Sequence, residues 1–240
     1  MAAAEVEVIV FDQVRFSYRP GAPVIATGRL AIEAGVTLLL GTNGSGKSTL
    51  LRLAAGVEHP IAGTVSVDGL DLWKDEAAAR RPIAYVPEQP ELTPYASVIE
   101  VLRLVARLRK VPPDSAGRAL ERAGLAALGG RSIREMSMGQ RRRAVLAAAW
   151  IGEPRVVLLD EPLEGMDRRM QESILEWVRT LDLAGAVIVV ATHDLDPFAS
   201  LARRAIGFDG AEPSLATLSA DETRNREVLE RLARGLREQA

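Results

Sequence analysis

Nine consecutive residues, Gly41-Thr42-Asn43-Gly44-Ser45-Gly46-Lys47-Ser48-Thr49, concentrate the most specific chemistry in this chain. Glycines at 41, 44 and 46 permit backbone angles that a Cβ resists. Successive backbone N–H groups can then turn inward into an anion-binding nest. A helix that starts at this point adds its dipole to the same site. Lys47 places a positive charge near outer phosphates, and the Ser48 hydroxyl suits Mg²⁺. A merely flexible turn needs neither the lysine nor the hydroxyl, so the pattern points to a polyphosphate ligand. A second group follows at Val156-Val157-Leu158-Leu159-Asp160-Glu161. Asp160 is the candidate metal partner, acting through water. Glu161 is the candidate base that orients or deprotonates an attacking water. His193, in Ala191-Thr192-His193-Asp194, ends the next apolar run and can reach a terminal phosphate or that water. Ser137, before Met138-Gly139-Gln140-Arg141, can cap a helix and make another anion site. Read alone, that segment is equally a basic, capped surface helix. His59, beside Pro60, has no comparable context.

These groups need a scaffold that brings them together. The apolar run Val36-Thr37-Leu38-Leu39-Leu40 precedes the glycine-rich loop, and Leu50-Leu51-Arg52-Leu53-Ala54 follows it, giving strand, loop, helix. Residues 6–11, 64–67 and 83–86 read as strands rich in β-branched residues. Val156 to Leu159 and Val187 to Val190 are continuous apolar runs, suited to parallel strands buried on both faces. Ligands bind beyond the C-terminal ends of such strands. Helical stretches separate the runs, so the class is α/β. The region from about 92 to 153 holds no convincing strand and reads as an inserted helical subdomain. Ser97 to Glu100 is a capping box, after which Val98, Val101, Leu102, Val105 and Leu108 share a helical face. Pro112-Pro113 ends that helix, and more helix runs from Arg118 to Leu128. From about 222 to 238 a charged amphipathic helix closes the chain, with Val228, Leu229, Leu232 and Leu236 in phase.

Composition narrows the function classes. With 240 residues, 48% hydrophobic and 26% charged, the chain fits an ordinary globular protein with a sizeable core. Its formal charge of −2 gives no general affinity for nucleic acid. The absence of cysteine excludes disulfides and thiolate zinc sites. No apolar run approaches the roughly 18 residues a membrane-spanning helix needs. The N-terminus carries acids where a signal peptide carries bases, so a soluble, unprocessed protein is expected.

In order and spacing the segments together resemble the nucleotide-binding subunits of ABC transporters, over essentially the whole chain. Gly41 to Thr49 resembles the Walker A motif, Met136 to Gln140 the signature sequence, and Val156 to Glu161 Walker B. Glu164-Gly165-Met166-Asp167 resembles the D-loop, His193 the switch histidine, and Tyr18 the aromatic that stacks on adenine. The resemblance implies a P-loop NTPase core with an antiparallel β-subdomain and an inserted helical subdomain, all in one domain. It implies ATP and Mg²⁺ as ligands. Residues 41–49 would hold the nucleotide, with Ser137, Gly139 and Gln140 supplied by a second subunit. Ser48, Asp160 and Glu88 or Gln89 would hold the metal. The implied assembly is a head-to-tail dimer with itself or a paralogous subunit. The implied partners are integral-membrane permeases, at the cytoplasmic face of the cell membrane.

Some residues depart from the family pattern. Thr42 replaces a proline, Met166 a leucine, and Met138 the first signature glycine, which lies close to phosphate. Glu88 of Tyr85-Val86-Pro87-Glu88-Gln89 aligns with the glutamine of the Q-loop; a one-residue slip would present Gln89 instead. Glutamate can ligate Mg²⁺ but brings a negative charge and, ionised, donates no hydrogen bond. Glu88 and the arginines after the signature resemble stand-alone subunits of exporters. The competing class is a soluble ATPase of the same type acting on ribosomes or nucleic acid. The chain shows none of the second cassette, coiled-coil insertion or basic extension such proteins carry.

Overall fold

The computed structural model describes residues 7–90, 92–219 and 221–235. The chain opens with β1 (Glu7–Phe16), β2 (Ile25–Ala26), β3 (Arg29–Glu33), β4 (Gly35–Leu39) and α1 (Lys47–Ala54). Next come β5 (Ala62–Val67), β6 (Leu70–Asp71), α2 (Glu76–Arg80) and β7 (Ile83–Val86). Three helices follow, α3 (Val98–Arg109), α4 (Ser115–Arg122) and α5 (Met138–Ala149). The chain then alternates through β8 (Val156–Asp160), α6 (Arg168–Leu183), β9 (Val187–Ala191) and α7 (Asp196–Ala199). It finishes with β10 (Ala202–Asp209), β11 (Glu212–Thr217) and α8 (Glu222–Ala233).

The central sheet runs β11-β10-β4-β9-β8-β7, parallel except for the β10–β11 hairpin. Its inner strands are continuous apolar runs because both faces are covered. In β8, Val157 and Leu159 pack into the core under α3 to α6, while Val156 and Leu158 pack toward α1. In β9, Ile188 and Val190 divide from Val187 and Val189 in the same way. An antiparallel sheet, β2-β1-β5-β6 with β3 also on β1, covers the far side of α1. Leu50, Leu51 and Leu53 of α1 are buried with Phe11, Ile9 and Val65 of that sheet. Each such leucine contributes about 1.5–3 kcal/mol by leaving water. The helix that opens the phosphate loop is thus wedged between two sheets.

Local details differ from the sequence-based expectations. On α3 the inner residues are Val98, Leu102 and Ala106, and Leu108 is exposed. Arg109 explains the shift: its guanidinium turns inward and donates to the carbonyls of Ala149 (3.1 Å) and Ile83 (3.1 Å). The helix ends before the prolines, at Lys110, whose φ is 57°. After α4, residues 126–128 form a 3₁₀ turn in place of continued α-helix. Leu229 and Leu232 of α8 are buried, and Leu232 lies over Gly207 of β10. A Cβ on Gly207 would meet the Leu232 side chain at 2.5 Å. Val6 and Leu236 to Glu238 lie outside the described residues. Among the described residues no helix is long and apolar enough to cross a membrane.

Candidate nucleotide site

The parallel strands β4, β8 and β9 are adjacent, so their C-terminal ends share one edge. The glycine loop leaves β4 at that edge with glycine-specific geometry. Gly41 has φ 152°, and a Cβ there would lie 2.6 Å from Ser45 Oγ. Gly46 has φ 109°, and its Cβ would meet Ile25 Cδ1 at 3.0 Å and the Val24 carbonyl at 3.2 Å. Gly46 is also the N-cap of α1, which has no side-chain cap and no acid in its first turn. The helix start therefore keeps its positive end for an external anion. Lys47 Nζ donates to the carbonyls of Gly41 (2.8 Å) and Thr42 (3.1 Å). An ammonium has three donors, so one is left for a ligand.

Asp160 ends β8 and is buried. Burial pushes its carboxyl above the ordinary carboxylate range. A hydrogen bond with the Ser48 side chain and the charge of Arg52 oppose that shift, while nearby Glu88 and Glu161 add to it. Such a crowd of hard oxygen donors suits a divalent cation. Among the described residues no three His, Cys, Asp or Glu side chains are spaced to hold a metal alone. A cation here would need the Ser48 hydroxyl and ligand oxygens as well. Glu161 follows at φ 46°, the left-handed region that costs a non-glycine residue about 1–3 kcal/mol. Its N–H donates to the Ala191 carbonyl (2.9 Å), and its Oε2 sits 3.0 Å from His193 Nδ1. Hydrogen bonding to Glu161 and its charge raise the His193 pKa, with smaller help from Glu164 and Asp194.

One open cleft of about 530 Å³ collects these groups. Tyr18, Asn43, Gly44, Gly46, Lys47, Ser48, Thr49, Glu88, Asp160, Glu161 and His193 all line it. Gly41, Thr42 and Ser45 form the loop's own frame. Gln89 is not among the lining residues, whereas Glu88 is. Tyr18 is half-exposed, with its hydroxyl 3.3 Å from Thr49 Oγ1 and its ring edge-on to Phe16. Sequence reasoning missed Val24 and Glu164 in this lining, and Arg52 behind it. Arg52 stands five residues after Lys47 and one helical turn from Ser48, a spacing that was legible.

Ser137, Gly139 and Gln140 are not part of the cleft lining. They open α5, where Ser137 and Gln140 form a capping box. The Gln140 N–H donates to Ser137 Oγ (3.3 Å), and the Ser137 N–H donates to Gln140 Oε1 (3.0 Å). The serine hydroxyl keeps its own hydrogen to donate. The S-x-x-Q spacing carried this signal unread. Met138 beside it is exposed, and nothing lies within 4 Å of a Cβ built on Gly139. The following arginines are structural ties. Arg141 donates to the carbonyls of Ile133 (3.1 Å) and Arg134 (2.9 Å). Arg142 holds the Glu164 carbonyl and carboxylate. Arg143 pairs with Asp167, whose other oxygen caps α6 through the Met170 N–H.

The sequence model of the family described as ABC transporter matches residues 29–164, more than half of the chain. A nickel import ATP-binding protein of Rhodobacter capsulatus is 34% identical over 224 residues, covering 87% of this chain and 88% of that one. A sulfate/thiosulfate import ATP-binding protein of Gloeobacter violaceus is 37% identical over 176 residues. That alignment covers 71% of this chain but only 51% of the relative, so the chain spans about half of that protein. Among solved structures, an ATP-binding cassette in a post-hydrolysis dimer with ADP and Pi superposes with a TM-score of 0.77 at 24% identity. The superposition covers 89% of this chain and all of that one, and it establishes the shared fold. By these matches the chain belongs to the ABC transporter family, as one of its ATP-binding, ATP-hydrolysing cassettes.

Proposed function

We propose that two copies of this chain, or one copy and a paralogue, close head to tail around two MgATP and hydrolyse them. The opening and closing would drive transport through separate membrane subunits. One observation carries this reading: the cleft holds the loop, the carboxylates and the histidine, while Ser137 lies outside its lining. A two-fold pairing supplies each cleft with the Ser137 segment of the other copy.

Within that assembly each residue has a distinct task. The loop N–H groups and Lys47 hold the phosphates, and Tyr18 offers its exposed ring to the base. Ser48, Asp160 and Glu88 would hold Mg²⁺, which supplies charge neutralisation at the phosphates. Glu161 orients the attacking water and accepts its proton as water oxygen bonds to the terminal phosphorus and the bond to ADP breaks. His193, with Nδ1 on Glu161, keeps Nε2 for a phosphate oxygen. Ser137 and Gly139 of the second copy donate to the same phosphate. Phosphate release removes that bridge and lets the copies part.

Two surfaces support a membrane-subunit partner. Tyr95, Leu104 and Leu108 are exposed on and beside α3, interleaved with Arg103 and Arg107. A cleft of about 410 Å³ between core and helices is lined by Leu92, Val105, Arg52 and Arg109 among others. The relatives named above act in import, which favours import over export. The features that suggested export have local explanations, since Glu88 lines the cleft and the arginines brace α5. The test is the ATPase rate per chain against protein concentration. A rate that rises steeply with concentration and then saturates is expected. A constant rate down to nanomolar chain would rule out the composite site.

A further inference from the structure

Among the described residues, the cleft that we assign to ATP is lined by more acidic than basic side chains. Four carboxylates among these residues line it, Glu88, Asp160, Glu161 and Glu164, against the Lys47 ammonium and the His193 ring. Three of the four have local partners. Asp160 takes the Ser48 hydroxyl, Glu161 is held by His193, and Glu164 is paired with Arg142. Lys47 is partly committed to the carbonyls of its own loop. Glu88 makes no hydrogen bond or ion pair with any other described residue. It sits on the exposed loop after β7, on the cleft wall with Ser48 and Asp160.

We infer that Glu88 makes ATP binding conditional on a divalent cation. The inference rests on the ATP-site reading above and concerns how that site is controlled. Alone, the phosphate tail of ATP and the Glu88 carboxylate are like charges brought together in one cleft, and they repel. With a cation between them, the same carboxylate becomes an oxygen ligand and the repulsion becomes attraction. A glutamine at this position is neutral, retains an amide oxygen for the metal and can donate to a phosphate. It would therefore accept ATP with or without the cation. Coupling of this kind is reciprocal: Glu88 makes the cation tighten ATP by the factor that ATP tightens the cation. A metal-dependent lock of this kind would prevent futile closure on uncomplexed nucleotide.

The experiment is equilibrium binding of ATP by isothermal titration to the purified full-length chain, in excess Mg²⁺ and in EDTA. Wild type, Glu88→Gln and Glu88→Asp are compared at the same ionic strength. The quantity read is the ratio of Kd in EDTA to Kd in Mg²⁺. Glu88→Gln is expected to lower that ratio on the order of ten-fold, mainly by tightening metal-free ATP. Glu88→Asp should stay near wild type. Equal ratios in wild type and Glu88→Gln would overturn the inference and leave the ATP site standing. A wild-type chain that binds ATP in neither condition would overturn the site itself, and the inference with it. Glu88 lies on an exposed loop, and matching circular dichroism would show that the variants fold.

Discussion

Glu161→Gln separates binding from chemistry more cleanly than any other substitution in the cleft. The carboxylate Oε2 lies 3.0 Å from His193 Nδ1. A glutamine amide oxygen can accept from the same nitrogen, so the side chain keeps its anchor. Its backbone φ of 46° is no easier and no harder for glutamine. The His193 ring is largely exposed, at 74%, so loss of the charged pair costs little stability. What disappears is the group that takes a proton from the attacking water. Loss of a general base lowers turnover by about 10²–10⁴, which is about 2.7–5.5 kcal/mol of barrier. Steady-state phosphate release reads the rate, and titration with ATP and Mg²⁺ reads affinity. The expected result is that fall in kcat with Kd within about three-fold of wild type. A variant that turns over within three-fold of wild type would refute the assignment of Glu161. Lost ATP affinity would instead make Glu161 a binding group.

His193 gives a pH signature. Its pKa is raised from 6.5 by Glu161, so the folded chain favours the imidazolium. The pairing is fully present below the unfolded value and is lost as pH rises through the raised folded value. An NMR titration should therefore find His193 titrating above 6.5, the ordinary histidine value, and Glu161→Gln should lower it. A value unmoved by Glu161→Gln would contradict the pairing. Leu232→Ala tests the docking of α8: Leu232 is 3% exposed and packs on Gly207, so about 2–5 kcal/mol should be lost in urea unfolding. A loss below about 0.5 kcal/mol would mean that α8 is not held to the sheet.

The legible parts of this molecule are those where local chemistry and period agree. Val156 to Asp160 reads as a doubly buried strand because both faces are apolar. The carboxylates at its end are legible because the strand must stop there. Gly46 announces itself through a turn no other residue fits. The β10–β11 hairpin was not legible: Ala202-Arg203-Arg204-Ala205 carries charge in a core strand. Arg204 is tolerated there because it pairs with Glu33 and donates to the Ala34 carbonyl (3.0 Å), 170 residues away in sequence. Arg109 misled the phase of α3 for a similar reason. It spends its donors on carbonyls of α5 and β7, which no local pattern encodes. Arg142 and Arg143 looked like a basic surface and proved to be braces to the Glu164–Asp167 segment.

The central claim is that a working site takes its phosphate loop from one copy and its Ser137 from another. Complementation tests it directly. Lys47→Ala chains keep an intact Ser137 segment, and Ser137→Arg chains keep an intact loop. Each variant alone should be nearly inactive. Mixed in equal amounts, half of the dimers pair the two variants, and each has one intact site of two. About a quarter of the wild-type ATPase rate should return if the sites work independently. A mixture no more active than its components, or full activity in Ser137→Arg alone, would contradict the composite site.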